Sequence, residues 1–327
     1  MAELQLREAI RAAMVEEMER DESIFLMGEE VAQYNGAYKV SEGMLKQFGA
    51  KRVIDTPIAE NGFAGLGIGA AMNGLRPIIE FMTFNFSMVA MDQLINNAAK
   101  VRYMSGGQFK FPIVFRGPNG AAGQLAATHN TSFESIFSTI PGLKIISISN
   151  PDDAKGLLKS AIRDDDPVLF MESEVMYGMK GEVSDAKDYL IPIGKARVAR
   201  EGKDVTIIGH NKSYWVAMKA AEMLAAEGFD PEVIDPRTIR PLDIETILTS
   251  VKKTNRCVIV DESNPFASIA SEIGFQIQRE AFDYLDAPVL RVTAKDTPAP
   301  YAKNLIEFYM PSAEDTYKAC RQVMYAN

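Results

Sequence analysis

A two-domain α/β fold, each domain a mostly parallel sheet flanked by helices, is predicted by three features of the sequence. Short apolar runs closed by glycine, charge or a turn, such as Ile24-Phe-Leu-Met-Gly28 and Val168-Leu-Phe-Met171, have the length of strands buried on both faces. Amphipathic stretches of helical period alternate with these runs, as crossover helices between parallel strands require. A polar stretch over 178–202 with no long apolar period separates two such series, which divides the chain into 1–180, a linker 181–202, and 203–327.

The elements follow in order. Leu6, Ile10, Ala13, Met14 and Met18 share one face of a surface helix over 5–20, and the strand 24–28 comes next, with Glu29 just past its carboxyl end. In open α/β sheets ligands bind outside those strand ends, so Glu29 is a pocket residue or a surface acid. A helix over 42–48 leads to a strand over 52–55. Then comes Asp55-Thr-Pro-Ile-Ala-Glu60-Asn-Gly-Phe-Ala-Gly-Leu-Gly-Ile-Gly69, a glycine-rich helix with a carboxylate at its head. A glutamate there is equally a charge favoured by the helix dipole. Gly62, Gly65 and Gly69 fall on one helical face. Helical glycines cost about 1 kcal/mol each relative to alanine, so such a face reads as a close-packing surface.

Residues 76–80 form a strand and 87–100 a helix with Met88, Met91, Leu94, Ile95 and Ala98 inward. Phe111 to Arg116 is a further strand, ended by the turn Gly117-Pro-Asn-Gly120, and the loop beyond it carries His129. Strands over 143–148 and 168–171, joined by a helix over 151–163, complete the first series. The second runs through strand 204–209, helix 214–227 and strands 232–235 and 257–261, and closes on a helix with Ala313, Tyr317, Cys320 and Val323 inward.

Composition narrows the function classes. The 327 residues are 47% hydrophobic and 24% charged with a formal net charge of −9, and no basic run is long enough to follow a phosphate backbone, which argues against nucleic acid. The two cysteines, Cys257 and Cys320, indicate neither a disulfide framework nor a thiolate metal site. No apolar run reaches membrane-span length and the first residues have no leader pattern, so the expected location is cytoplasmic; a processed organellar chain would read the same. Gly65-x-Gly67-x-x-Ala70 satisfies a loose dinucleotide fingerprint with Glu80 as its acid, but no buried strand runs into it and Asn73-Gly74 stops the helix at once, so a nicotinamide site is set aside.

Thr56-Pro-Ile-Ala-Glu60-Asn-Gly-Phe-Ala-Gly65, Glu80-Phe-Met-Thr-Phe-Asn-Phe-Ser-Met88, Tyr103-Met-Ser-Gly-Gly107, Phe115-Arg-Gly-Pro-Asn-Gly120, Val233-Ile-Asp-Pro-Arg-Thr-Ile-Arg-Pro-Leu-Asp243 and Pro300-Tyr-Ala-Lys303 together resemble the beta subunits of pyruvate dehydrogenase E1 components, in the transketolase-like thiamine-diphosphate family. The resemblance covers nearly the whole chain. It implies a pyrimidine-binding domain followed by a transketolase C-terminal-like domain. It also implies an oxidoreductase that decarboxylates pyruvate and reductively acetylates the lipoyl group of the E2 dihydrolipoyl acetyltransferase. Glu60 would bond the aminopyrimidine ring, Glu29, Ile58, Met82 and Phe86 would complete the cofactor pocket, and His129 would face substrate. His129 lies in Thr128-His-Asn-Thr131, where the family usually shows Gln-His-Ser-Gln, and Ser263-Asn-Pro265 stands where Gly-Trp-Pro is common. A potassium site is implied at Ile113, Ala161, Ile162, Asp164 and Asp166, the last replacing the family's asparagine.

Members of the wider family hold the diphosphate through magnesium on a Gly-Asp-Gly segment followed by an asparagine pair. This sequence has no Gly-Asp-Gly, and Asn96-Asn97 stands alone in a helix. The chain therefore reads as half an active site, with an E1 alpha subunit supplying the magnesium in an alpha2beta2 heterotetramer. Two alternatives stay open: a beta subunit of another 2-oxoacid or acetoin dehydrogenase, and a non-catalytic assembly subunit.

Overall fold

The computed structural model describes residues 1–121 and 123–326. The chain divides into two compact units, 1–119 with 136–193, and 120–135 with 194–327.

The first unit begins with β1 (Ala2–Gln5), α1 (Leu6–Arg20), β2 (Ile24–Gly28), α2 (Met44–Phe48), β3 (Val53–Asp55), α3 (Glu60–Met72), β4 (Arg76–Glu80), α4 (Val101–Met104) and β5 (Val114–Pro118). After the short α5 (Glu134–Ser138) it continues through β6 (Lys144–Ser147), α6 (Pro151–Arg163), β7 (Val168–Glu172) and β8 (Lys180–Val183). Its parallel sheet runs β6-β7-β5-β4-β2-β3. The central strands β4, β5 and β7 are buried along almost their whole length, as their continuous apolar runs dictate.

Helix α1 is more enclosed than a surface helix: its five apolar positions are fully covered, and Glu17 is buried with them. It packs on α6, where Arg163 reaches Glu17 at 2.7 Å. Residue 5, read as the start of that helix, instead ends β1, which pairs antiparallel with β8. Helix α6 matches its expected bounds because its start is set by chemistry: the Asn150 side chain accepts from Asp153 N at 3.0 Å and Pro151 takes the first turn.

The regular helix expected over 87–100 is not present. A 3₁₀ turn at Phe84–Met88 precedes a π-helical stretch at Gln93–Ala98, and Met88 is exposed while Leu94 and Ala98 are buried. The wider π turn moves side chains off the 3.6-residue period, so the apolar spacing misplaces the inward face. The strand expected to start at Phe111 begins at Val114, because Phe111 N is taken by Asp165 O at 3.0 Å.

The second unit holds β9 (Arg197–Arg200), β10 (Val205–Gly209), α7 (Lys212–Ala226), β11 (Pro231–Asp235), β12 (Thr238–Arg240), α8 (Ile244–Thr254), β13 (Cys257–Asp261), α9 (Ile269–Ala281), β14 (Leu290–Thr293), α10 (Lys303–Tyr309) and α11 (Ala313–Val323). Its sheet runs β14-β13-β10-β11-β9, parallel except for the edge strand β9. The stretch 181–202 thus contains most of β8 and all of β9. The buried face of α11 is Thr316, Cys320 and Val323, so Ala313 and Tyr317 are only partly covered. Thr316 goes inward because its hydroxyl donates to Ser312 O at 2.9 Å, which removes the cost of burying it.

Candidate active site

Strand β2 ends at Gly28, and the sheet requires that glycine: a methyl group there would lie 2.5 Å from Glu80 O on β4. The close approach brings the next residue, Glu29, against the neighbouring strand ends. The turn beyond it is fixed by Asp55, whose carboxylate accepts from Ala32 N at 2.7 Å and Gln33 N at 3.0 Å. Glu60 is the first residue of α3, where the open N–H groups and helix dipole favour a negative charge.

These two elements bring Glu29 and Glu60 together. Both are buried, at 6% and 5% exposure, and the Glu60 carboxyl lies close enough to act electrostatically on Glu29. Burial is the largest cause of a raised Glu29 pKa, followed by the Glu60 charge, with Glu80 adding to it; the value is pushed up to about 7. With its pKa raised in this way, Glu29 keeps its proton closer to neutral pH than an ordinary carboxyl group does. Glu29 Oε1 is buried and has no hydrogen-bond partner among the described residues. A buried acceptor left open in this way calls for a donor.

Of the other expected pocket residues, Ile58 is 81% exposed, and Met82 and Phe86 are partly buried. Phe81 and Phe84 form the core beneath them, with ring centroids 5.6 Å apart, and Phe81 also packs on Phe63 and Phe115. The 3₁₀ turn that begins at Phe84 turns that ring inward with Phe81 and leaves Met82 and Phe86 partly covered. His129 belongs to the second unit, in a 3₁₀ turn at Ala127–His129, where its Nδ1 lies 2.9 Å from Thr128 Oγ1. Ala127, Asn130 and Thr131 beside it line a cavity of about 410 Å3 together with Asn264, Asp296 and Tyr309.

Sequence reasoning missed a charged cluster behind Glu29. Arg116 on β5 is fully buried, bonded to Glu80 on β4 and, at 2.5 and 2.6 Å, to Glu172 on β7; Tyr177 donates to Glu172 at 2.7 Å. Burial would lower the guanidinium pKa, but Glu172 and Glu80 hold it well above its ordinary value. Glu80 stands opposite Arg116 in the β4–β5 register, whereas Glu172 lies two residues further along β7, opposite Pro118, so spacing along the chain does not reveal the cluster.

The turn expected to hold potassium carries its own cations. Ile162 O accepts from Arg76 Nε at 3.0 Å and Asp164 O from Arg76 Nη2 at 2.9 Å. Ala161 O accepts from Asp164 N and Ile113 O from Val168 N. Asp166 pairs with Arg102 and, at 3.1 Å, with Lys144, which also meets Asp164 at 2.7 Å; Asp165 pairs with Lys110 and Arg76. Three carboxylates face four cations, and three of the five expected residues have an oxygen facing a guanidinium. Among the described residues no group of three His, Cys, Asp or Glu side chains is placed to hold a metal.

The family model described as "Transketolase, pyrimidine binding domain" matches residues 2–180, and "Transketolase, C-terminal domain" matches 194–316. The chain is 54% identical over 325 residues to the pyruvate dehydrogenase E1 component subunit beta of Rhizobium meliloti, covering 99% of this chain and 71% of that relative. It is 54% identical to the Rickettsia bellii subunit, covering 99% of both. The chain belongs to the pyruvate dehydrogenase E1 beta-subunit family. The mitochondrial member from Dictyostelium discoideum is 52% identical over 99% of this chain and 92% of its own length. A solved structure titled split gene transketolase, inactive beta4 tetramer, superimposes with a TM-score of 0.81 over 99% of both chains at 21% identity, which shows the shared α/β fold. This family membership makes the chain a component of an oxidoreductase complex. No helix among the described residues is long and apolar enough to cross a membrane.

Proposed function

We propose that the chain supplies the pyrimidine half of a thiamine-diphosphate site, which an E1 alpha subunit completes with magnesium and the diphosphate contacts in an alpha2beta2 assembly. The reaction is decarboxylation of pyruvate with transfer of the acetyl unit to the lipoyl group of E2, in a reducing compartment such as the cytoplasm. The observation that carries this reading is the buried Glu29–Glu60 pair at the head of α3, with an acceptor oxygen left open. An aminopyrimidine edge offers the donors and acceptors such a pair requires, and Met82 and Phe86 offer a partly covered apolar wall for a flat ring.

Bound thiamine diphosphate supplies the carbon nucleophile and electron sink. The chain's own groups control protons. Glu60 would hold the proton-bearing edge of the pyrimidine, and Glu29, titrating near neutrality, would take up or release a proton beside it. His129 orients substrate or lipoyl and manages a proton there. The four side-chain cations at the 161–166 turn support a fold that does without potassium.

Calorimetry with thiamine diphosphate and magnesium tests the half-site: heat of binding is expected only for the chain mixed with an alpha subunit, and tight binding to the chain alone would overturn the division. Glu60→Gln should leave assembly intact and lower pyruvate turnover by roughly 10²–10⁴-fold. Normal turnover would remove Glu60 from the mechanism.

A further inference from the structure

The second unit buries a charged cluster that the proposed reaction does not use. Lys212, the first residue of α7, meets the fully buried carboxylate of Glu262 at 2.5 Å and also donates to Ala121 O. Gly120 has a φ of +74° and lies so close that a methyl group there would fall onto the Glu262 carboxylate. At the other end of the same segment Glu134, buried, faces His210 Nδ1 at 3.8 Å, and His210 Nε2 faces Asp261 at 3.8 Å. Asp261 is itself held, accepting from Ser263 N at 3.0 Å and from Ala270 N at 3.1 Å. Gly120 N donates to Thr131 O at 3.3 Å, which draws the segment's two ends together.

His210, Asp261 and Glu262 stand at or just past the carboxyl ends of β10 and β13, adjacent parallel strands between which the strand order reverses. That crevice is where open α/β sheets take ligands. Here the protein's own segment 120–135 is bonded into it, and that segment carries His129.

We propose that Lys212 and Glu262 are positioning residues, which clamp segment 120–135 and so fix where His129 stands; the catalytic part of this rests on the reading of His129 given above. Breaking a buried ion pair leaves one charge unpaired and destabilises, whereas replacing both partners with apolar side chains is often neutral. The test is therefore the double variant Lys212→Met with Glu262→Met, alongside Lys212→Arg and His129→Ala. Amide hydrogen exchange over 120–135 is read on the chain itself, and kcat and KM for pyruvate on the complex with its alpha subunit.

The double variant is expected to exchange at least about tenfold faster over 120–135 with the rest of the unit still protected. Its kcat should fall by up to about 10²-fold, the scale of a misplaced catalytic group, with KM less affected. Lys212→Arg should restore most of both. Unchanged exchange overturns the clamp. Full kcat in the double variant, with His129→Ala slow, overturns the positioning role. If His129→Ala is itself fully active, the reading of His129 fails, and the exchange result still decides the clamp.

Discussion

Glu29 has a pKa raised to about 7 by burial and by the Glu60 charge, so it binds a proton in the folded chain over a range where the unfolded chain has released it. Between about pH 4.5 and 7 the unfolded state binds fewer protons, and stability must fall as pH rises. Glu29→Gln removes that term: its urea midpoint should vary less across this window than the wild type's, and an unchanged slope would mean Glu29 is not the titrating group. Behind it, Arg116→Met leaves Glu80 and Glu172 buried without a cation, and should cost about 3–5 kcal/mol of unfolding free energy. Glu60 was legible because it sits in a distinctive stretch, and Glu29 because it follows an apolar strand. Arg116 was not, because its neighbours along the chain are apolar and its partners come from two other strands.

At the scale of elements, α3 and α6 could be read to within a residue because their ends carry their own signals: Glu60 at one start, Asn150-Pro151 at the other. The π-helical stretch at 93–98 could not, since the same residues fit a regular helix and only packing selects the wider turn. The carboxyl end of α6 is met by a side-chain cation from a neighbouring strand. Arg76 meets the carbonyls of Ile162, Arg163 and Asp164, the orphan acceptors of a helix terminus. Arg76→Met should cost about 1–3 kcal/mol by leaving them unmet. Exchange of potassium for sodium should leave the thermal midpoint of the wild-type chain unchanged, and a potassium-specific rise would show that the side-chain cations do not suffice.

For the whole molecule, the glycine face of α3 separates packing within the chain from packing beyond it. A Cβ at Gly67 would lie 2.7 Å from Ile79, so Gly67 serves this chain's own core, whereas a Cβ at Gly69 meets nothing within 4 Å and Gly62 has only Ala59 nearby. The sequence grouped Gly62, Gly65 and Gly69 by helical angle, and the structure leaves two of them open. Gly69→Ala should therefore stabilise the isolated chain by up to about 1 kcal/mol. If this face meets the alpha subunit, the same substitution weakens assembly, read by sedimentation of the mixture; unchanged assembly would move the interface elsewhere.

The two units are also interleaved. Residues 120–135 sit between two stretches of the first unit, yet they are bonded to side chains from α7 and from just past β13. The boundary near residue 193 is consequently a poor place to divide the gene. An N-terminal product ending there would carry a span with a buried glutamate and a left-handed glycine but without the lysine and histidine that receive them. The separate C-terminal product would display an empty ligand crevice in its place. Rearrangements that shuffle these domains among relatives would have to carry that span along with the C-terminal half, or rebuild the crevice that receives it.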